Sequence, residues 1–377
     1  MKVQVASVGV GRFGKRPEGL VELAAEAAGR ALEGIGRRPV DLLVVGTMLA
    51  HGSHGPEALL PHLAGRLGLE SASGLRVEAA SATGAMAFHA AAGAVASGRF
   101  VRALVVAAEK MTDGTTAALT GELAAALHPT EVACGATMPG LAALVTQRYI
   151  EKYGASSDLL DLPTVHARAN AASNPNAQFP KPVTRAEVAE SRPVALPLRL
   201  LHCSAISDGA AAVVLERGAG PAAVLGLGQG FDTLRVVDRA DLTTFAATRI
   251  AAARAYEAAR LTRKEIEVVE LHDAFAPFAA IHLEDLGFCG AGEGPTWFAR
   301  DWVRRDARLP VNPSGGLLGR GHPVGATGLA AIGEVALQLR GEAEGRAIAR
   351  APKIGLAQTL GGLGAHNFVT ILGSSAA

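Results

Sequence analysis

Residues 312–328 read NPSGGLLGRGHPVGATG, and this stretch decides what kind of chain it is. Glycine loses more backbone entropy on folding than any other residue. Six of them in one run are therefore kept where the chain turns sharply or another group comes very close. His322 lies in the middle, its backbone restricted by Pro323. The following LAAIGEVALQLR has the spacing of a mostly apolar helix. A Gly-rich turn that presents one histidine and then enters a helix is a way to build a site. The plainer alternative is a surface loop with an incidental histidine, and the density of glycine and the fixed proline weigh against it.

The rest of the composition narrows the field. A chain of 377 residues exceeds the size at which single cores stop growing, so two domains or two packed halves are expected. Apolar residues make up 49%, aromatics 4% and charged residues 19%, so the core is built from small aliphatic side chains. Net charge is +1 with no long basic run, which argues against nucleic acid as the main partner. Cys134, Cys203 and Cys289 form no CxxC pair, so neither a disulfide framework nor a zinc site is indicated. No apolar run reaches membrane-span length, and MKVQVASVGVGRFGK lacks a signal-peptide core; a cytoplasmic protein is expected.

Along the chain, residues 3–10 alternate like a strand, 19–36 are helical in spacing and 42–49 read as a buried strand. A helix is expected at 57–68, strands at 75–80 and 101–111, and between them a helix at 81–98, apolar on every side and so buried all round. The alternation indicates a parallel α/β layer. Residues 112–200, with many prolines and asparagines, break the rhythm and read as an irregular inserted loop domain. Strands resume at 207–216 and 222–231, followed by a helix at 242–260, a strand at 268–275, a helix to about 287, and strands at 354–362 and 366–373. Ser81-Ala82-Thr83-Gly84 enters one small-residue helix and Ala326-Thr327-Gly328 another, at the same place in the strand–helix order. This echo indicates a duplicated unit, with halves at 1–217 (including the loop domain) and 218–377.

The set EAASATGAMAFHAA (78–91), SDGAAA (207–212), ELHDAF (270–275), the 312–328 stretch and the glycine-rich last strand pair resembles the thiolase superfamily over essentially the whole chain. HDAF in place of NEAF brings it nearest to the sterol-carrier-protein and archaeal types. The resemblance implies a five-layered αβαβα fold, usually a homodimer or homotetramer, that takes coenzyme A and acyl-CoA as substrates with no tightly bound cofactor. It puts Ser81 at the position of the nucleophilic cysteine. His322 becomes the histidine that activates the nucleophile and donates to the thioester oxygen, and His272 a second donor to that oxyanion. The N–H groups of Ser81 and Gly361 would form another oxyanion hole, while Asp273 would orient backbone. At the mouth of a buried helix an anion is favoured, which lowers a thiol's pKa.

Two departures are central. Ser81 is not a cysteine, and a hydroxyl attacks only with a general base, here His322, for which no supporting residue can be named. The family's acid/base cysteine is also missing, with Thr359 near one of its positions and Ala274 at the other. Cys203 reads as a core residue, and Cys134 as inert unless the loop domain brings it near. His51 and His54 fit a loop role and His89 the core, while His366 is a modest acid/base candidate. Lys181 and Arg185 fit a solvated face better than a coenzyme A contact. Trp297, Phe298 and Trp302 would suit either an acyl pocket or a subunit contact. GVGRFG at 9–14 opens no helix and is rejected as a dinucleotide fingerprint.

The first function expected is an acyl-CoA acyltransferase acting on the carbon–carbon bond β to the thioester, with Ser81 an inactivating substitution or a natural variant. The alternatives are a retro-aldolase of β-hydroxyacyl-CoA that needs no cysteine and works with a small OB-fold partner, and a non-catalytic acyl-CoA-binding subunit.

Overall fold

A computed structural model describes residues 2–49, 55–156 and 160–374; His51 and His54 lie outside the described residues. The first half supplies β1 (Val3–Val10), β2 (Leu42–Gly46), β3 (Ser73–Val77) and β4 (Arg102–Glu109). A short hairpin, β5 (Pro193–Ala195) with β6 (Leu198–Arg199), precedes β7 (Gly209–Arg217). The second half supplies β8 (Ala223–Phe231), β9 (Val268–Glu270), β10 (Ile354–Gly361) and β11 (His366–Gly373). The strand order is β3-β2-β4-β7-β1-β8-β11-β10-β9.

Reading outward from the β1–β8 junction, the halves repeat one another. β1–β7 and β7–β4 are antiparallel, and β4–β2 and β2–β3 are parallel. In the second half β8–β11 and β11–β10 are antiparallel and β10–β9 is parallel, and a parallel bridge from Val269 to Val311 stands where β3 would be. The sheet is therefore mixed, which corrects the all-parallel reading. Buried strands flanked by helices look alike in sequence whichever way they run, because both faces demand apolar residues.

Helices Thr83–Ala96 and Thr327–Arg340 lie in the middle, packed together and against both halves of the sheet. Leu20–Glu33 and Leu59–Leu67 cover the outer face of the first half, Ala246–Ala259 and Ala276–Asp285 that of the second. The result is the five-layered αβαβα arrangement. Successive strand residues point to opposite faces, so β4 divides cleanly: Ala103, Val105 and Ala107 enter the central core, and Leu104, Val106 and Ala108 the outer one. In β1 a register shift between Val5 and Ser7 moves the central face from Val3 and Val5 to Val8 and Val10.

Residues 112–200 are largely helical rather than irregular, with helices at Thr116–Ala124, Pro129–Ala133, Met138–Tyr153, Leu162–Ala171 and Arg185–Glu190. Several of the prolines that look like breakers sit in first helical turns, as Pro129, Pro139 and Pro163 do. That position has no N–H to lose and suits a fixed φ.

The two central helices cross at their N-termini, which explains the sequence echo. A Cβ on Gly84 would stand 2.6 Å from the Leu329 nitrogen, and one on Gly328 2.8 Å from the Ala85 nitrogen. Gly84→Ala is expected to cost about 1–3 kcal/mol through overpacking, read as a lower denaturant midpoint. Gly93→Ala, in the same helix but with nothing within 4 Å, is expected to stabilise by about 1 kcal/mol.

Candidate active site

Ser81 follows β3 and precedes the Thr83–Ala96 helix, held by a tight turn. Ala80 takes a left-handed conformation (φ 49°), which a residue with a Cβ seldom adopts without support. The support comes from Thr83, whose hydroxyl donates to the Ala80 carbonyl at 2.6 Å and accepts from the Ala79 N–H at 2.8 Å. Gly361 at the end of β10 packs against the same turn, so closely that a Cβ there would lie 2.3 Å from the Ala79 oxygen.

His322 is fixed by the equivalent threonine of the second helix. The Thr327 hydroxyl donates to the Pro323 carbonyl at 3.0 Å and so accepts from His322 Nδ1 at 2.8 Å. Its proton therefore resides on Nδ1, and Nε2 carries the lone pair. The backbone of His322 donates to Ser207 Oγ at 2.9 Å, tying it to the SDG motif. Thr327 is thus the supporting residue that sequence reading could not name.

His272 follows β9. Its backbone N–H donates to Gln358 Oε1 at 3.0 Å. Its ring is buried, and neither ring nitrogen has a hydrogen-bond partner. A buried imidazole without partners is costly and is free to bind what enters. The rings of His272 and His322 meet edge to face at 5.2 Å. Burial lowers both pKa values, His322 to about 3 with Arg320 adding to the effect, and His272 well below the usual range with His322 contributing next. Both rings are neutral at physiological pH. Ser81, His272 and His322 line one cavity of about 220 Å³ with no charged side chain in its wall.

Buried carboxylates hold the loops that carry these groups. Glu109 accepts from the Thr47 hydroxyl and from the N–H groups of Met48, Leu49 and Gly325, joining the end of β2 to the HPVG turn. Asp208 accepts from Lys110, Met111, Thr112 and the Arg16 N–H. Burial alone would raise the Asp208 carboxyl, but the Thr112 hydroxyl, the Met111 N–H and Lys110 hold it below its usual value. Asp273 accepts from the Leu317 N–H at 2.7 Å, in keeping with a role in orienting backbone. Sequence reading missed Glu109, because a lone glutamate ending an apolar strand carries no motif.

The remaining candidates separate. Cys203 is not a plain core residue: it reaches the cavity wall, where burial pushes its thiol up to about 12 and keeps it protonated. Cys134 is exposed and Thr359 buried, and neither lines the cavity. Gly361 does not line it either, although Leu360 and Gly362 do. His366 faces a different cavity, beyond the Ala79–Ala80 turn. His89 bonds Thr370 Oγ1 at 2.9 Å within the core. Lys181 and Arg185 are exposed. Trp297 and Trp302 meet edge to face outside the cavity wall, and Phe298 is buried beside Trp297, so none lines this cavity. Among the described residues no cluster of His, Cys, Asp or Glu is placed to hold a metal ion, and no helix is long and apolar enough to cross a membrane.

Comparison with known proteins agrees with this geometry. The chain matches the thiolase N-terminal domain over residues 5–219 and the thiolase C-terminal domain-like family over 228–374. It is 41% identical over 355 residues to the acetyl-CoA acetyltransferase of Methanothermobacter thermautotrophicus, covering 91% of each chain. It is 31% identical to the benzoylsuccinyl-CoA thiolase subunit BbsB of Thauera aromatica, covering 96% of this chain and 95% of that one. The solved Ltp2-ChsH2(DUF35) aldolase superposes with a TM-score of 0.83 at 26% identity, covering 99% of this chain and 98% of that one.

The buried histidines make stability depend on pH. His89, His282 and His322 are each lowered by burial from 6.5 to about 3. At these three sites the unfolded chain binds more protons than the folded one, so their contribution to stability falls as pH drops through that window. Glu270 and Asp285, whose carboxyls burial raises to about 7, oppose it. His89→Leu is expected to lose less melting temperature than the wild type between pH 6.5 and pH 3.

Proposed function

The chain belongs to the thiolase family, and from that premise we propose that it makes or breaks the carbon–carbon bond β to a coenzyme A thioester. The observation that carries the proposal is the pairing of His272, with both ring nitrogens unpartnered, and His322 at 5.2 Å in one cavity with Ser81.

In the cleavage direction, Ser81 Oγ attacks the 3-oxo carbon while His322 Nε2 takes its proton. The C2–C3 bond then breaks, and its electron pair moves into the thioester carbonyl. His272 donates to the resulting enolate oxygen, which is charge that develops only during reaction. C2 takes up the proton held on His322 Nε2, and the acyl group on Ser81 passes to the thiol of coenzyme A, whose proton returns through His322 to Ser81 Oγ. The role of Ser81 as acyl acceptor is part of the proposal, as is a homodimeric or homotetrameric assembly. β3 ends the strand order, a position compatible with pairing between copies.

A second reading has its own support. The cavity holds one base and an oxyanion site, and its single thiol, Cys203, stays protonated. Retro-aldol cleavage of a β-hydroxyacyl-CoA needs no covalent acyl-enzyme, and the similar solved aldolase contains a DUF35 component. A small partner protein belongs with this reading.

Incubation with labelled 3-oxoacyl-CoA and intact-protein mass spectrometry separates the two. An acyl adduct that disappears in Ser81→Ala is expected. Cleavage of β-hydroxyacyl-CoA with no adduct would establish the second reading instead. Ser81→Cys is expected to raise thiolysis, because a thiol at a helix N-terminus ionises far more readily than a hydroxyl. His272→Ala is expected to lower turnover by about 10²–10³-fold. Thr327→Val, which frees the His322 ring, is expected to lower it by up to about 10²-fold with a smaller change in KM.

A further inference from the structure

Three of the chain's five methionines, Met48, Met111 and Met138, converge on the wall of this one cavity, although they come from three distant segments. Phe275 and Phe278 add to the apolar part of its lining. Methionine is unbranched and flexible, and it fills irregular space around apolar groups of varied shape. Met138 begins a helix of the inserted segment, so the wall is assembled only when that segment packs over the sheet.

A cavity of about 220 Å³ is more than an acetyl group needs, since a dry apolar cavity of roughly 150 Å³ already holds a benzene ring. Its wall carries no Lys, Arg, Asp or Glu, and both histidines are neutral. A second carboxylate on the acyl chain would be buried there without a partner, at heavy cost.

Building on the function proposed above, we propose that the acyl group is uncharged and bulky, roughly six to eight carbons as a chain or ring, and that Met48, Met111 and Met138 set this preference. Acetyl transfer would leave most of the apolar wall unused. Each added methylene that reaches the wall gains about fourfold in affinity.

The test uses saturated acyl-CoAs, measured by calorimetry on the Ser81→Ala variant, which has no hydroxyl to take up the acyl group. From acetyl- to hexanoyl- or cyclohexanecarbonyl-CoA, affinity is expected to rise on the order of a hundredfold. A dicarboxylic acyl-CoA of the same length is expected to bind at least tenfold more weakly than its uncharged counterpart. Met138→Trp is expected to move the optimum toward acetyl, and Met138→Ala toward longer chains. A flat series or an acetyl optimum, with tight binding throughout, would overturn the size preference and leave the parent reading standing. An equal affinity for the dicarboxylic ligand would overturn the charge preference. Failure of every acyl-CoA to bind would overturn both the preference and the function it rests on.

Discussion

The crossing of two helix N-termini at Gly84 and Gly328 is the constraint from which the site follows. Each glycine faces backbone of the other helix at a distance no side chain can occupy. Because the helices meet at their first turns, residues just before them line one cavity, Ser81 from one half and His322 from the other. Thr83 and Thr327 then do matching work, each turning its hydroxyl back to brace the turn that carries the reactive group. A duplicated fold has been turned into one asymmetric site, since only the second copy presents a histidine.

Bracing of this kind needs buried polar groups, and the fold supplies them as carboxylates with several donors each. Glu109 receives four hydrogen bonds and joins the end of β2 in the first half to the HPVG turn of the second. Glu270 accepts from both the backbone and the hydroxyl of Ser314, and burial pushes its pKa up to about 7. Such groups are costly when left unpaired and orient their partners firmly when satisfied. They hold the loops so that the cavity itself can remain free of charge.

That uncharged cavity is what gives the two histidines their chemistry. Low polarity around an imidazole disfavours the cation, leaving His272 and His322 both neutral, with the His322 ring held by Thr327. The same burial keeps Cys203 protonated. Size, charge and reactivity are thus determined by one property of the cavity.

Much of this was legible in the chain. Apolar periodicity located most strands and helices, and the repeated Ala-Thr-Gly strings marked the duplication before any geometry was known. His322 stood out because a glycine-rich turn and a proline surround it, whereas Ser81 and His272 were picked out only by the likeness of their motifs to the thiolase superfamily. Strand direction was not legible, because a strand buried on both faces has the same composition in either sense. The helices of the inserted segment were hidden because proline serves helix starts as readily as it breaks helices. The lock on the His322 ring spans only five residues, whereas Glu109 and the methionine wall belong to tertiary structure alone. Each depends on residues tens to hundreds of positions apart, and no local pattern can report a contact that exists only when the chain has closed on itself.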